Sequence, residues 1–131
     1  MAKVFFSFLL VFLVDQLSKL AVIHFSFPHI LNSGAAFGIF PNQVGLLVLI
    51  SVALLVFLFT KSPKPYNLKT QLPYILILGG GVSNLFDRLR QGYVVDFLDP
   101  KIWPSFNLAD TAIVVGVFLL IGQFVFPRKV S

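Results

Sequence analysis

Four apolar stretches, each close to the length of a membrane span, constrain this chain more than any other feature. A helix that crosses the hydrocarbon core of a bilayer needs about 20 largely apolar residues. Residues 44–60 carry no charge at all, and the other three stretches are residues 4–23, 71–86 and 107–126. Because only helices and closed barrels satisfy their backbone groups in lipid, these lengths predict an all-α membrane protein with four transmembrane helices.

The composition agrees with a membrane location. Only 11% of the residues are charged, whereas soluble domains carry about 25%. A length of 131 residues predicts one domain, residues 1–131. The chain has no cysteine, which excludes disulfides, thiolate nucleophiles and cysteine-based metal sites. The net charge of +5 does not indicate a nucleic-acid partner, since the basic residues are not clustered with aromatic residues on a polar surface.

The lysines and arginines instead predict an orientation. Six lie at one end of the four stretches, namely Lys3, Lys61, Lys64, Lys69, Arg128 and Lys129. Three lie at the other end, namely Arg88, Arg90 and Lys101. The positive-inside rule then places both termini in the cytoplasm and residues 24–43 and 87–106 on the outer side. No small-residue cleavage site follows the first stretch, so we expect it to be retained as a helix.

Polar residues from distant parts of the chain fall at the outer ends of the predicted helices. They are Asp15, Lys19, Asn32, Asn84, Asp87, Arg88, Asp96, Asn107 and Asp110. The inner halves of the spans are nearly free of such residues. A charged group inside a membrane is costly and usually functional. The convergence therefore predicts a site near the outer membrane boundary.

Several of these residues also have structural interpretations. Asp15 and Lys19 are four apart on one helix face and can neutralise each other. Arg88 is expected to pair with a carboxylate, for which Asp87 is a candidate. Asp110 lies three residues after Asn107, as an acid does in a capped first helical turn.

Asp96 has no comparable structural explanation, because its neighbours in "YVVDFL" are apolar and none is basic. Asp99 precedes Pro100 and is typical of a turn. His24 and His29 lack the spacing of a metal motif, so we expect neither a metal site nor a cofactor. Two carboxylates that share a site can hold one proton between them and activate water for amide hydrolysis. Asp96 and Asp110 are candidates for such a pair.

The order of motifs resembles a known family. They are "DQLSK" in the first stretch, "NSGAAFG" in the first outer loop, "GGGVSNLFDRL" at the end of the third stretch, "GYVVDF", and "FNLAD" at the start of the fourth. Together they are similar to the lipoprotein signal peptidases (signal peptidase II), the membrane aspartyl proteases of bacteria. The match spans nearly the whole chain.

The resemblance implies a function and a set of site residues. The activity would be removal of signal peptides from diacylglyceryl-modified prolipoproteins, with cleavage just before the lipidated cysteine. The catalytic pair would be Asp96 and Asp110. The residues that hold substrate would be Asn32, Asn84, Arg88 and Asn107, with supporting positions at Asp15, Lys19 and Asp87. The "NSGAAFG" loop would belong to a small extramembrane β-structure that cradles the substrate.

The chain departs from the family pattern at two places. Ser83 stands where the family usually has glycine, which is expected to affect helix packing. Only eight residues, 98–105, separate "VVDF" from "FNLAD", so the cover over the site should be small. Because one chain supplies every motif, a monomer is expected, with membrane lipid and a lipoprotein substrate as partners. A proton-coupled transporter or a structural subunit of a larger complex would be the alternatives from other classes.

Overall fold

The computed structural model describes residues 1–35, 38–64 and 67–126. Within these ranges the chain forms four α-helices and two short strands. In chain order they are α1 (Ala2–His24), β1 (Ile30–Asn32), α2 (Val44–Lys61), α3 (Leu68–Gln91), β2 (Val94–Asp96) and α4 (Leu108–Val125). The predicted arrangement, mostly helical with a small β-structure at one end, is confirmed. Arg128 and Lys129, which contributed to the predicted orientation, lie outside the described residues.

Three of the helices, α1, α2 and α4, are long and apolar enough to cross a membrane. Large apolar side chains cover their outer surfaces, as at Leu10, Leu49 and Phe118, which are 62%, 67% and 71% exposed. Such a surface suits contact with lipid. The remaining helix, α3, is less apolar, although its 24 residues would extend about 36 Å. Its crossing of the membrane stays a prediction.

The buried part of the molecule is built around α3, which packs against α1, α2 and α4. Small residues allow this close approach. A Cβ atom added at Gly80 would lie 2.5 Å from the backbone oxygen of Ala109 in α4. One added at Gly79 would lie 2.8 Å from Cβ of Val11 in α1. The glycine run therefore sets the distance between α3 and its neighbours.

The helix α3 is longer at both ends than the predicted 71–86 segment. Its start is fixed by Asn67, whose side chain accepts a hydrogen bond from the N–H of Lys69. Its end is fixed by Gly92, which adopts the left-handed conformation with φ of 80°. Pro73 lies inside the helix, because the helix begins at Leu68.

The two strands form an antiparallel sheet at the end of the helices where the predicted outer loops meet. Ile30 pairs with Asp96, and Asn32 pairs with Val94. An isolated bridge between Leu98 and Phe106 then folds the chain back toward the start of α4. This is the predicted β-containing cradle, although residues 36 and 37 of the "NSGAAFG" motif lie outside the described residues.

Candidate active site

Asp96 ends β2 and turns its carboxylate into the molecule, where the residue is only 4% exposed. Its Oδ2 accepts a hydrogen bond from the side-chain amide of Asn32, with 2.9 Å between oxygen and nitrogen. The two residues are diagonal neighbours on one face of the sheet, which brings long polar side chains within reach. Its Oδ1 accepts a hydrogen bond from the amide of Asn107, also at 2.9 Å. Both carboxylate oxygens are thus held by amide donors.

Asp110 lies in the first turn of α4, where Asn107 is the N-cap residue. The backbone N–H of Asp110 donates to Asn107 Oδ1 at 2.9 Å, and the backbone N–H of Asn107 donates to Asp110 Oδ2 at 3.1 Å. The predicted cap is therefore confirmed as a reciprocal capping box. The remaining oxygen, Oδ1, accepts a hydrogen bond from the amide of Asn84 in α3 at 2.9 Å. Asp110 thus caps its helix and also faces the polar cluster.

The bridge between Leu98 and Phe106 explains how Asp96 and Asp110 meet across the intervening sequence. The backbone N–H of Phe106 donates a hydrogen bond to the carbonyl of Leu98 at 3.0 Å. The carbonyl of Phe106 accepts a hydrogen bond from the N–H of Leu98 at 2.9 Å. This hairpin places the next residue, Asn107, beside the end of β2. Asn107 is fully buried and bonds to both carboxylates. The structure therefore brings Asp96 and Asp110 into one site.

The environment of Asp96 changes its acidity. Burial raises the pKa of Asp96 from 3.8 to about 6, because removal of water penalises the charged form. The hydrogen bond from Asn32 opposes this rise in pKa, and the negative charge of Asp110 adds to it. A carboxyl group with a pKa of about 6 exchanges its proton near neutral pH, as an acid–base catalyst must.

A buried ionic cluster lies directly beneath the two carboxylates. Lys19 Nζ is 2.6 Å from Oδ2 of Asp15 and 2.6 Å from Oδ2 of Asp87. It also donates to Asn84 Oδ1 at 3.0 Å. The predicted pair of Asp15 and Lys19 is present, but Asp87 joins it. Lys19 therefore orients Asn84, which in turn contacts Asp110.

The placement of Arg88 differs from the prediction. Within the described parts of the chain Arg88 forms no ion pair with a carboxylate, and Asp87 is bound by Lys19 instead. The guanidinium donates from one terminal nitrogen to the backbone carbonyl of Gly34 at 3.1 Å. Its Nε–H is buried and has no acceptor among the described residues. A buried donor without a partner is costly, so this group is available to a ligand oxygen.

Sequence reasoning missed two polar residues that complete the cluster. Ser83 is fully buried, and its hydroxyl donates to Asp15 Oδ2 at 2.7 Å. The amide of Gln16 donates to Ser83 Oγ at 2.8 Å and to Asp87 Oδ1 at 2.9 Å. Asp15 also accepts the backbone N–H of Ala109 at 2.7 Å, which ties α1 to the first turn of α4. Ser83 precedes Asn84 in the sequence and Gln16 follows Asp15. This adjacency to candidate site residues was the sequence feature that could have indicated a role for them.

An open cleft of about 540 Å³ leads to Asp96 from the loop side of the molecule. Its walls are largely apolar, formed by residues such as Val22, Phe27, Ile30 and Phe97, while Asp99 and Lys101 lie at its rim. Asp99 accepts hydrogen bonds from the backbone and side chain of Lys101 at 3.0 and 2.7 Å, as expected for a turn residue. The cleft is large enough to receive an extended peptide segment beside Asp96.

His29 lines the cleft that leads to Asp96. His29 Nδ1 lies 2.7 Å from the carbonyl oxygen of Phe27, and the ring of His24 packs edge-on against Phe25. In residues 1–35, 38–64 and 67–126, no group of three or more His, Cys, Asp or Glu side chains is arranged to hold a metal ion. The carboxylates of the site are instead engaged by amides and backbone N–H groups. The arrangement suits acid–base chemistry on a bound water molecule.

Comparison with known proteins shows the family to which the chain belongs. Residues 7–126 match the family model described as signal peptidase (SPase) II. A lipoprotein signal peptidase of Moorella thermoacetica is 44% identical, over 91% of this chain and 90% of the relative. One of Halothermothrix orenii is 41% identical, over 86% of this chain and 88% of the relative.

Solved structures give the same result for the fold. Two structures of a bacterial membrane enzyme, at 26% and 27% identity, each superpose with a TM-score of 0.83. They cover 100% and 98% of this chain, and 94% and 96% of the solved chains. With three span-length apolar helices, the molecule is a multi-pass bacterial membrane protein. The sequence matches and the shared fold together show that the chain belongs to the signal peptidase II family of aspartic proteases.

Proposed function

We propose that this chain removes signal peptides from diacylglyceryl-modified prolipoproteins and cuts just before the lipidated cysteine. Membership of the signal peptidase II family supports signal-peptide cleavage from prolipoproteins. The observation that carries the proposed mechanism is the position of Asn107, which bonds to Asp96 and Asp110 at once. These two carboxylates are the proposed catalytic pair.

The proposed reaction needs one proton shared between the two carboxyl groups. The ionised carboxylate takes a proton from a water molecule, whose oxygen attacks the carbonyl carbon before the cysteine. The protonated partner donates its proton to the carbonyl oxygen, which gives a tetrahedral intermediate. The carboxyl group that took the proton from water then passes it to the amide nitrogen, and the carbon–nitrogen bond breaks with release of the amine. One hydroxyl of the intermediate returns its proton to the pair as the new carboxyl group forms, so the pair again holds one proton. The raised pKa of Asp96, about 6, suits this exchange near neutral pH.

Substrate binding is assigned to the amide and guanidinium groups around the pair. Arg88 would donate its unpartnered Nε–H to a substrate carbonyl, since a fixed guanidinium fork is a strong donor to such oxygens. Asn32, Asn84 and Asn107 would hold the carboxylates and the substrate backbone. Asp15, Lys19 and Asp87 would support them through the buried ionic cluster.

The membrane supplies much of the proposed substrate affinity. The exposed apolar faces of the helices leave acyl chains in the bilayer, where each buried methylene contributes about 0.8 kcal/mol. We place the site at the outer boundary, both termini in the cytoplasm and α3 as a fourth span, because the basic residues are concentrated at the opposite end. One chain would act as a single membrane-embedded domain and as a monomer.

A cleavage assay tests the proposal. Purified protein in detergent is incubated with a diacylated lipobox peptide, beside the variants Asp96→Asn and Asp110→Asn. We expect cleavage before the modified cysteine by the wild type and a loss of at least about 1,000-fold in each variant, because neither amide can accept or hold the proton.

Thermal unfolding of all three proteins provides the control for folding. If the folded variants retain cleavage, the catalytic assignment is wrong. If the wild type fails to cleave a peptide that a related signal peptidase does cleave, the proposed substrate is wrong.

A further inference from the structure

A second groove lies at the end of the molecule opposite Asp96, between α1 and α2. It has a volume of about 530 Å³ and α3 forms its floor. Its lining is almost entirely apolar, from Val4, Phe5 and Phe8 in α1, Leu55, Val56 and Phe59 in α2, and Ile75, Leu78 and Val82 in α3. The volume falls within the range of about 300–1,000 Å³ that ligand sites occupy. An apolar groove along the helix axes suits a hydrocarbon chain.

The groove lining becomes polar near the end of α2 and the start of α3, where the groove opens. Ser62 and Gln71 line it there and are 7% and 2% exposed. Both are engaged by the protein, since Ser62 donates to the carbonyl of Phe59 and Gln71 donates to that of Pro63. Met1 also lines the groove. An apolar channel with a polar opening matches an amphiphilic ligand.

The charged side chains described around this opening are lysines. The ends of the three helices that form the groove carry exposed lysines, namely Lys3, Lys61, Lys64 and Lys69. The five acidic residues of the chain are all elsewhere in the sequence, at Asp15, Asp87, Asp96, Asp99 and Asp110. Lysine clusters at the cytoplasmic ends of membrane helices attract anionic lipid headgroups.

The same charge argues against a peptide occupant. A signal peptide begins with a positively charged segment before its apolar region, and that segment would be repelled by these lysines. A phospholipid with a negative phosphate has the opposite charge and an acyl chain of suitable polarity. The ligand is therefore expected to be an anionic lipid.

We propose that this groove binds one anionic phospholipid, with an acyl chain against α3 and the phosphate among the lysines at the ends of α1, α2 and α3. Its assignment to the inner leaflet depends on the orientation proposed above, whereas the binding itself does not depend on the proposed peptidase activity. The lipid would fill the space between α1 and α2 and stabilise their packing on α3.

The test compares two lipids that differ in headgroup charge. The full chain, purified in detergent, is unfolded thermally with dioleoyl phosphatidylglycerol or dioleoyl phosphatidylcholine at equal concentration. At 100-fold excess over the dissociation constant, we expect phosphatidylglycerol to raise Tm by about 10 °C. High salt should reduce this shift. Equal shifts with the two lipids would overturn the proposal, because they would show no selection for negative charge.

Matched variants locate the lipid. Val56→Trp places bulk in the groove, whereas Leu54→Trp places the same bulk at a position of α2 outside the groove lining. We expect the shift with phosphatidylglycerol to disappear in the first variant and to persist in the second. The same shift in both would place the lipid elsewhere and overturn the proposal.

Charge variants provide an independent test should Val56→Trp not fold. Lys3→Gln combined with Lys61→Gln should reduce the shift, while Arg90→Gln, at the other end of the molecule, should leave it intact. The shift should also persist in Asp96→Asn. If Asp96→Asn abolishes it, the lipid binds at the catalytic site and the groove assignment is wrong.

Discussion

At the scale of single residues, Asn107 determines the geometry of the site. Its amide donates to Asp96, its side-chain oxygen accepts from the N–H of Asp110, and its own N–H donates to the Asp110 carboxylate. A residue that caps a helix is held by the helix itself, so its side chain has little freedom. The relation between the two carboxylates is thus set by backbone geometry rather than by flexible side chains.

The raised pKa of Asp96 predicts how stability depends on pH. The folded protein favours the protonated form, so Asp96 contributes stability fully below about pH 4, and that contribution is lost as the pH rises through about 6. The difference in pKa corresponds to at most about 3 kcal/mol, and solvent at the partly open cleft reduces it toward about 2 kcal/mol. Compared with Asp96→Asn, the wild type should lose stability between pH 4 and pH 7.

Thermal unfolding in detergent across this pH range measures the effect. Asp99→Asn is the control, because Asp99 is exposed at the rim and bound to Lys101, which lowers its pKa. Its pH dependence should follow that of the wild type closely. Parallel curves for the wild type and Asp96→Asn would contradict the raised pKa.

The residue scale also shows what sequence could and could not predict. Burial of Asp96 without a basic neighbour could be predicted from its apolar surroundings, and the capping box of Asn107 and Asp110 from their spacing. The partners of Arg88 and Asp87 could not. The partner of Asp87 depends on the relative rotation of α1 and α3, which brings Lys19 to face it. Adjacent charges on one helix point in different directions, so sequence proximity was a misleading guide.

At the scale of elements, the contact between α3 and α4 connects packing to the site. Gly80 lies against the backbone carbonyl of Ala109, the residue immediately before Asp110. Its replacement by alanine would place a methyl carbon 2.5 Å from that oxygen and 3.1 Å from Ile113 Cγ1. Because a backbone atom cannot move without its helix, we expect Gly80→Ala to cost about 1–3 kcal/mol of stability. Activity should fall as well, since α4 carries Asp110.

Gly122→Ala is the matched control for this substitution. Gly122 lies in α4, the helix that Gly80 contacts, and a Cβ atom there would meet nothing within 4 Å. Alanine also favours helix over glycine, by up to about 1 kcal/mol. Gly122→Ala should therefore be neutral or stabilising. Equal unfolding temperatures and cleavage rates for the two variants would show that the close approach of α3 and α4 is unimportant.

The elements themselves were largely predictable. The ends of α1, α2 and α4 lie within two residues of the apolar stretches, because hydrophobicity alone defines a lipid-facing helix. The bounds of α3 were underestimated, since its ends are polar and are set by Asn67 and Gly92. The pairing of β1 with β2 depends on residues distant in sequence and carries a weak local signal.

At the scale of the whole molecule, polarity is distributed in the reverse of the pattern in a soluble protein. Large apolar side chains cover the outside, whereas the buried set includes Asp15, Lys19 and Asp87 at 1%, 3% and 1% exposure. The sequence predicted that polar residues converge at one end, because the spacing of charges along each span is visible in it. The groove between α1 and α2 was not predictable, since it depends on how far these helices separate on α3.

The low apolarity of α3 has a consequence for biosynthesis. Its Asp87 is neutralised by Lys19 of α1, a helix that the ribosome completes well before α3. Of the four described helices, α3 is the one that is not apolar enough to be counted as a membrane span by its composition. We therefore expect α3 to enter the bilayer efficiently only when α1 is already there to receive its polar face.

Insertion of α3 in a membrane translation system, reported by glycosylation tags on its flanks, measures this dependence. Lys19→Met should lower the inserted fraction of α3 at least about twofold, and Lys3→Met, outside the buried cluster, should not. Undiminished insertion of α3 without Lys19 would mean that the helices enter independently. If insertion does depend on it, the ionic cluster beneath the carboxylates also acts during synthesis, as the contact by which an early helix recruits a later one.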